Sequence, residues 1–168
     1  AHLAVHLNEV GIQLREARVV PDIAEEIVAA INACRARYDY VFTTGGIGPT
    51  HDDITSASIA QAFGVAVIRH PDAERALRAH YGEAEINEAR LKMAEVPEGA
   101  ELIPNAVSTA PGFRMENVYV MAGVPRIMQA MLDAIIPRLK GGQKVLSVSV
   151  TTNLPEGVIA QGLTEIQQ

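Results

Sequence analysis

Several things this sequence has little of narrow its chemistry. A single cysteine, Cys34, excludes an internal disulfide and points to a reducing compartment. Basic residues are outnumbered, 14 against 20 acidic ones, giving a formal charge of −6 and a pI near 5.3. That balance excludes a non-specific binder of nucleic acid or anionic membrane, which needs a surplus of lysine and arginine on one face. No apolar run is long enough to span a bilayer, so a soluble, cytoplasmic setting is expected. No Gly-Lys-Ser/Thr sequence occurs, and without the lysine that would meet a nucleotide's terminal phosphates the chain is not a P-loop protein. What is present is a hydrophobic content of 48% over 168 residues, enough to bury a core in one principal domain.

The most informative stretch runs from Tyr40 to Thr55, YVFTTGGIGPTHDDIT. A short β-branched and aromatic segment, Tyr38 to Thr44, reads as a buried parallel strand. Three glycines follow within four positions, Gly45, Gly46 and Gly48, then two adjacent aspartates, then a helix from Thr55 to Phe63. Glycine lets the backbone approach a ligand closely, and a helix start points N–H groups at an anion. Gly46-Ile47-Gly48 lacks the third glycine of a dinucleotide fingerprint, which makes a Rossmann site weak.

Asp52 and Asp53 carry two readings. One aspartate could cap the helix. A second carboxylate beside an anion site calls for a bridging cation, for which Mg²⁺ is suited, or for a neutral donor such as a ribose or pterin group. The hydroxyls of Thr43, Thr44, Thr50 and Thr55 could serve a phosphate, or only a strand end and a cap. His51 contacts ligand or lies on the surface. Pro111-Gly112 presents backbone donors to the cleft or simply turns the chain. Cys34, Met121, Met128 and Met131 read as packing, and the run Glu83 to Glu88 as a solvated face.

Around this stretch the pattern alternates between helix and strand. Ala1 to Val10 reads as a helix closed by Gly11, and Ile12 to Val20 as a strand. Asp22 and Glu25 have capping-box spacing before a helix whose inward face is Ile23, Ile27, Ile31 and Cys34. His70 to Tyr81 and Ile86 to Ala94 read as polar helices forming an excursion from the sheet. Phe113 to Met121 alternates about Glu116-Asn117 as a hairpin. Gly123-Val124-Pro125 leads into a helix with Ile127, Met131, Ile135 and Leu139 inward. Lys144 to Thr152 reads as a strand and Pro155 to Ile166 as a helix. These patterns predict an α/β fold with a mostly parallel sheet, helices on both faces and an antiparallel edge hairpin. Ligands gather at the carboxyl ends of such strands, where Thr44 to Asp53 and Ala122 to Pro125 would meet. Residues 1–140 form the expected principal domain and 141–168 the start of a small α+β subdomain. Because Ala1 and Gln168 both lie inside helical patterns, the chain reads as a piece of a longer protein.

The run Thr43 to Thr55, TTGGIGPTHDDIT, resembles the signature of the molybdopterin-binding domain superfamily, in the branch of CinA-type competence/damage-inducible proteins and the pterin-binding-like half of FAD synthases. Ala110-Pro111-Gly112-Phe113 and Ala122-Gly123-Val124-Pro125 are similar to that branch's later signatures, Ala122 standing where proline is frequent. The resemblance covers roughly residues 1–140, and 152–168 are similar to the start of the CinA branch's additional subdomain. It implies a three-layer α/β/α fold that binds a phosphorylated pterin or an adenine nucleotide-diphosphate. It also implies metal-assisted hydrolysis of a pyrophosphate bond, as in ADP-ribose or FAD, with Mg²⁺ or another divalent metal such as Co²⁺. The alternatives within the resemblance are a non-catalytic binding module and adenylylation of molybdopterin in cofactor biosynthesis. Carried over by position, Gly45, Gly46 and Gly48 would cradle phosphate, and Asp52 and Asp53 would hold metal or ligand and serve catalysis. Thr44, Thr50, His51, Thr55, Pro111, Gly112, Gly123 and Pro125 would line the ligand site. The family's opening strand, central in its sheet, and an acidic Gly-Asp-Glu segment would precede Ala1, so a chain starting at Ala1 is expected to have a gap in its core. Association as a dimer or trimer is also implied.

Overall fold

The computed structural model describes residues 2–167 apart from 145, 147 and 150. Its centre is a four-stranded sheet in the order β1-β6-β5-β4, formed by β1 (Val41–Thr44), β6 (Val118–Met121), β5 (Gly112–Met115) and β4 (Glu101–Ile103). β1 and β6 pair in parallel, with Val41 opposite Val118 and Thr44 opposite Met121. β6 and β5 form the expected antiparallel hairpin, and β4 adds antiparallel at the far edge. A separate antiparallel pair joins β2 (Val67–Arg69) to β3 (Glu95–Pro97).

Alternation along β6 divides the core into two layers. Val118 and Val120, both fully buried, face helices α2 (Ala24–Arg35) and α3 (Thr55–Phe63) through Ile31, Ile59 and Ala62. Tyr119 and Met121 face the other way, onto Met131, Leu132 and Ile135 of α6 (Pro125–Ile135) and Leu3 of α1 (His2–Glu9). Each buried side chain of this size contributes about 1.5–3 kcal/mol, so the two faces of this one strand anchor the α/β/α sandwich. Phe42 stacks on Tyr119 with ring centroids 5.3 Å apart, tying β1 to the α6 side. On the other side Arg35 donates to the Ala62 carbonyl at 3.0 Å and lies 4.0 Å over the Phe63 ring, joining α2 to α3.

Asn117 at the hairpin tip sets the register. Its side-chain amide donates to the carbonyls of Arg35 (3.0 Å) and Tyr38 (2.8 Å), while its own carbonyl accepts the Val41 N–H at 2.9 Å. One residue therefore fastens the hairpin to the end of α2 and the start of β1.

Several expectations are corrected by packing. Ile12 to Val20 carries no strand: the outer edge of β1 faces a cavity of about 620 Å³, and the segment lies on its far wall through Leu14, Glu16 and Val20 without a ladder partner. Alternation alone cannot make a strand, because a strand needs a neighbour. The capping box at Asp22 is not formed; Ile23 takes the N-cap position of α2 without a side-chain hydrogen bond, and it is 50% exposed rather than inward. The strand expected from Tyr38 begins at Val41, where pairing to Val118 begins. The helix expected over Ile86 to Ala94 is only α5 (Glu88–Lys92), capped by the Asn87 side chain, after which the chain turns extended into β3. The other excursion helix, α4 (Pro71–Tyr81), starts on a His70 cap, and its Ala73 and Leu77 pack with Ala94 in a small core of their own. The alternating stretch Lys144 to Thr152 falls partly outside the described residues, and its described positions carry no strand. The last helix is α7 (Glu156–Gln167). Among the described residues no helix is long and apolar enough to cross a membrane.

The hairpin turn holds Glu116 at φ = +50°, in the left-handed region that disfavours a side chain. Glu116→Gly is expected to raise stability by up to about 1 kcal/mol, read as a higher urea midpoint at unchanged slope. A lower midpoint would show that the glutamate's contacts outweigh its backbone strain.

Candidate functional site

The strand ends that matter all lie on one rim of the sheet. Thr44 ends β1 opposite Met121, the end of β6, and Gly112, the start of β5, lies beside Met121 and opposite Ile103, the end of β4. The loops 45–54, 104–111 and 122–124 therefore emerge side by side. The first and third touch: a side chain at Gly123 would come within 3.1 Å of the Gly45 Cα. Gly45 and Gly46 adopt φ of +101° and +70°, which lets the chain leave β1 and turn back at once. The Gly45 N–H extends the ladder by donating to the Met121 carbonyl at 2.9 Å, and the Thr55 N–H closes the loop onto the Gly46 carbonyl at 2.9 Å.

Each residue singled out from the sequence has a definite place here. Thr44, Thr50, His51 and Asp52 are exposed around the turn; Thr55 is buried beneath it, its hydroxyl against Gly46. Gly123 and Pro125 lie exposed on the neighbouring loop and at the first turn of α6. Pro111 and Gly112 are buried at the same rim, and Gly112 has no room for a side chain between the Val120 carbonyl and the Met131 sulfur. Its glycine is thus explained by packing alone. Of the three glycines, Gly45 spends its N–H on the Met121 carbonyl, and Gly48 lies against the Asp53 carboxylate. Among the described residues no internal backbone bond takes the N–H of Gly46 or Ile47.

The two aspartates differ. Neither caps α3: its N-cap is Ile54, and no side chain bonds there. Asp53 turns back into the loop, its Oδ2 accepting the Thr50 N–H at 2.9 Å and the Thr50 hydroxyl at 2.6 Å. Burial pushes its pKa up, but the Thr50 hydroxyl and N–H, the Gly48 N–H and the Lys92 ammonium outweigh that and hold it below the ordinary value. Asp52 is exposed, and its carboxyl is also held low, first by the Thr50 hydroxyl and then by its own backbone N–H and His51. Both are charged at neutral pH.

Among the described residues no group of three or more His, Cys, Asp or Glu is arranged to hold a metal ion. A divalent ion at this turn would have at most the carboxylates of Asp52 and Asp53 as protein ligands. Mg²⁺ is ordinarily bound in that way.

Two features of the rim carry no clear sequence signal. Lys92, at the end of α5, donates from Nζ to the Thr50 carbonyl, 42 positions earlier in the chain. Asn105, 8% exposed, organises the loop 104–111: its amide donates to the Ser108 hydroxyl (2.7 Å) and the Ala110 carbonyl (2.9 Å), and its oxygen accepts from the N–H groups of Val107 and Ser108. Thr109 in that loop sits at φ = +66°.

A carboxylate with a depressed pKa stabilises the fold above its unfolded value, near 3.8 for Asp53, and that contribution is lost as pH falls through the lower folded value. Asp53→Ala is expected to cost about 1 kcal/mol at neutral pH, with the difference from wild type shrinking only below pH ~4. Urea melts at pH 7, 5 and 3 check this; a pH-independent cost would mean that the carboxylate charge does not hold the loop.

Comparison with known proteins agrees with this geometry. Residues 1–141 match the family model described as "Probable molybdopterin binding domain". The chain is 36% identical over 174 residues to a CinA-like protein of Desulfosudis oleivorans, covering 96% of this chain and 42% of that one. It is 37% identical over 179 residues to a protein of Pyrobaculum calidifontis, covering all of this chain and 68% of that one. The chain thus spans about two fifths of the CinA-like relative and about two thirds of the archaeal one. Among solved structures, CinA of Thermoplasma acidophilum, whose function is described as unknown, superposes with a TM-score of 0.76 at 34% identity, over 82% of this chain and 83% of that one. With the glycine turn, the aspartate pair and the abutting second turn at one sheet rim, this chain belongs to the molybdopterin-binding domain family, in its CinA-like branch.

Proposed function

We propose that the rim binds the diphosphate of an adenine nucleotide or the phosphate of a pterin, and that it supports hydrolysis of a pyrophosphate bond of the ADP-ribose or FAD type. The observation that carries this is the abutment of the two glycine turns, Gly45 against Gly123, with exposed Asp52 beside them. The N–H groups of Gly46 and Ile47 and the exposed hydroxyl of Thr44 are the neutral donors available to phosphate oxygens. Thr55 and Asp53 act one layer down, fixing the backbone that presents those donors. A divalent ion held by Asp52 and Asp53 would neutralise diphosphate charge. His51, exposed between the turn and the aspartates, would contact the same ligand.

A second reading, binding without turnover, draws support from one observation: Asp53 is committed to the loop, leaving Asp52 as the freer carboxylate. Adenylylation of a pterin phosphate would draw on the same rim. Association as a dimer or trimer belongs with these proposals; the size distribution from light scattering tests it.

Incubation of the protein with ADP-ribose, FAD and ATP, with and without Mg²⁺ or Co²⁺, tests the reading by AMP release. Metal-dependent AMP from ADP-ribose or FAD is expected, and Asp52→Ala is expected to lower it by roughly 10²-fold at unchanged thermal stability. Tight ADP-ribose binding with no AMP would favour the binding module. Absence of both binding and AMP release would overturn the assignment of the rim to a diphosphate.

A further inference from the structure

We infer that Lys92 is a positioning residue of this site, tying the α4–α5 excursion to the loop that presents Asp52 and setting the affinity of the rim for anions. The inference rests on the reading of the rim as an anion site. Residues 45–54 contain two aspartates and no lysine or arginine, so at neutral pH the loop repels the ligand it is read to bind. Among the described residues, Lys92 is the one lysine or arginine with a hydrogen bond to that loop.

Its target is the central joint of the loop. The Thr50 carbonyl takes the Lys92 ammonium and also the Asp53 N–H at 3.3 Å, while the Thr50 N–H and hydroxyl hold the Asp53 carboxylate. Lys92 thus fastens the residue through which Asp53 is held, and its charge lies close enough to favour the ionised form of that carboxylate. One of its three N–H donors is used on Thr50.

The lysine is delivered from a fixed base. α5 is capped at its start by Asn87, whose side chain accepts the Arg90 N–H at 2.9 Å, and at its end the chain enters β3, paired to β2. Leu91 and Ala94 on either side are 3% and 0% exposed. The backbone that carries Lys92 is thus held on both sides, and its side chain is half-buried. The excursion contributes no strand to the main sheet, yet through this lysine it holds the tip of the anion loop from outside.

Lys92→Met and Lys92→Arg test this by two measurements on the whole chain. Amide hydrogen exchange at Thr50 and Asp53, without ligand, is expected to be about tenfold faster in Lys92→Met and near wild type in Lys92→Arg, with unchanged melting temperature in both. Titration calorimetry with ADP-ribose and Mg²⁺ is expected to show about tenfold weaker binding in Lys92→Met, largely restored in Lys92→Arg. Unchanged exchange in Lys92→Met overturns the inference whatever the ligand does. Faster exchange with wild-type affinity overturns its functional half, reducing Lys92 to a structural tie. If wild type itself does not bind ADP-ribose, the anion reading fails and the functional half falls with it, while exchange still decides the tie.

Discussion

The parallel pairing of β1 with β6 is the constraint on which this molecule depends. Its register places Thr44 opposite Met121, so the chain leaves both strands at the same height and on the same rim. Both exits then turn against each other: a side chain at Gly123 would crowd the Gly45 Cα at 3.1 Å, and Gly45 is required by its φ of +101°. A shift of one residue would exchange Val118 and Val120 for Tyr119 and Met121 across the sheet, and each core would receive side chains of the wrong shape. Asn117 guards against that shift by bonding the carbonyls of Arg35 and Tyr38 just ahead of β1.

Around this pairing, the polar residues of the glycine loop fall into two layers of duty. Asp53, Thr50, Thr55 and the Gly45 N–H build the loop. Asp52, His51 and Thr44 stand on its outside. Adjacent residues in one motif therefore do different work. The depressed pKa of Asp53 belongs to the architecture of the turn as much as to any ligand.

Much of this was legible where the signal is local. The glycine turn, the helix from Thr55 to Phe63 and the hairpin about Glu116-Asn117 all follow from residues within a few positions of one another. The meeting of the two glycine loops could also be anticipated, since parallel strands deliver their ends together. What escaped depends on partners remote in sequence. Ile12 to Val20 has the alternation of a strand, yet it meets a cavity where a strand would find a ladder partner. β2, β3 and β4 have three residues each and announce themselves only through the strand beside them. Lys92 is one cation in a charged helix, and nothing near it in the sequence identifies Thr50 as its acceptor.

The β1–β6 pair also has a kinetic side. β5 and β6 are hairpin neighbours and can zip as soon as both exist, whereas β1 must wait until the chain through α3, the excursion and the hairpin has come round to meet it. Loop closure of that length sets an entropic barrier, and contacts of high sequence separation dominate slow folding. The rim is assembled only when this pairing is made, so an intermediate holding the hairpin and the helices alone would be compact and helical yet would lack the rim. Stacking of Tyr119 on Phe42 after dilution from denaturant would then lag behind recovery of helical signal, and the lag would time the closure of the sheet.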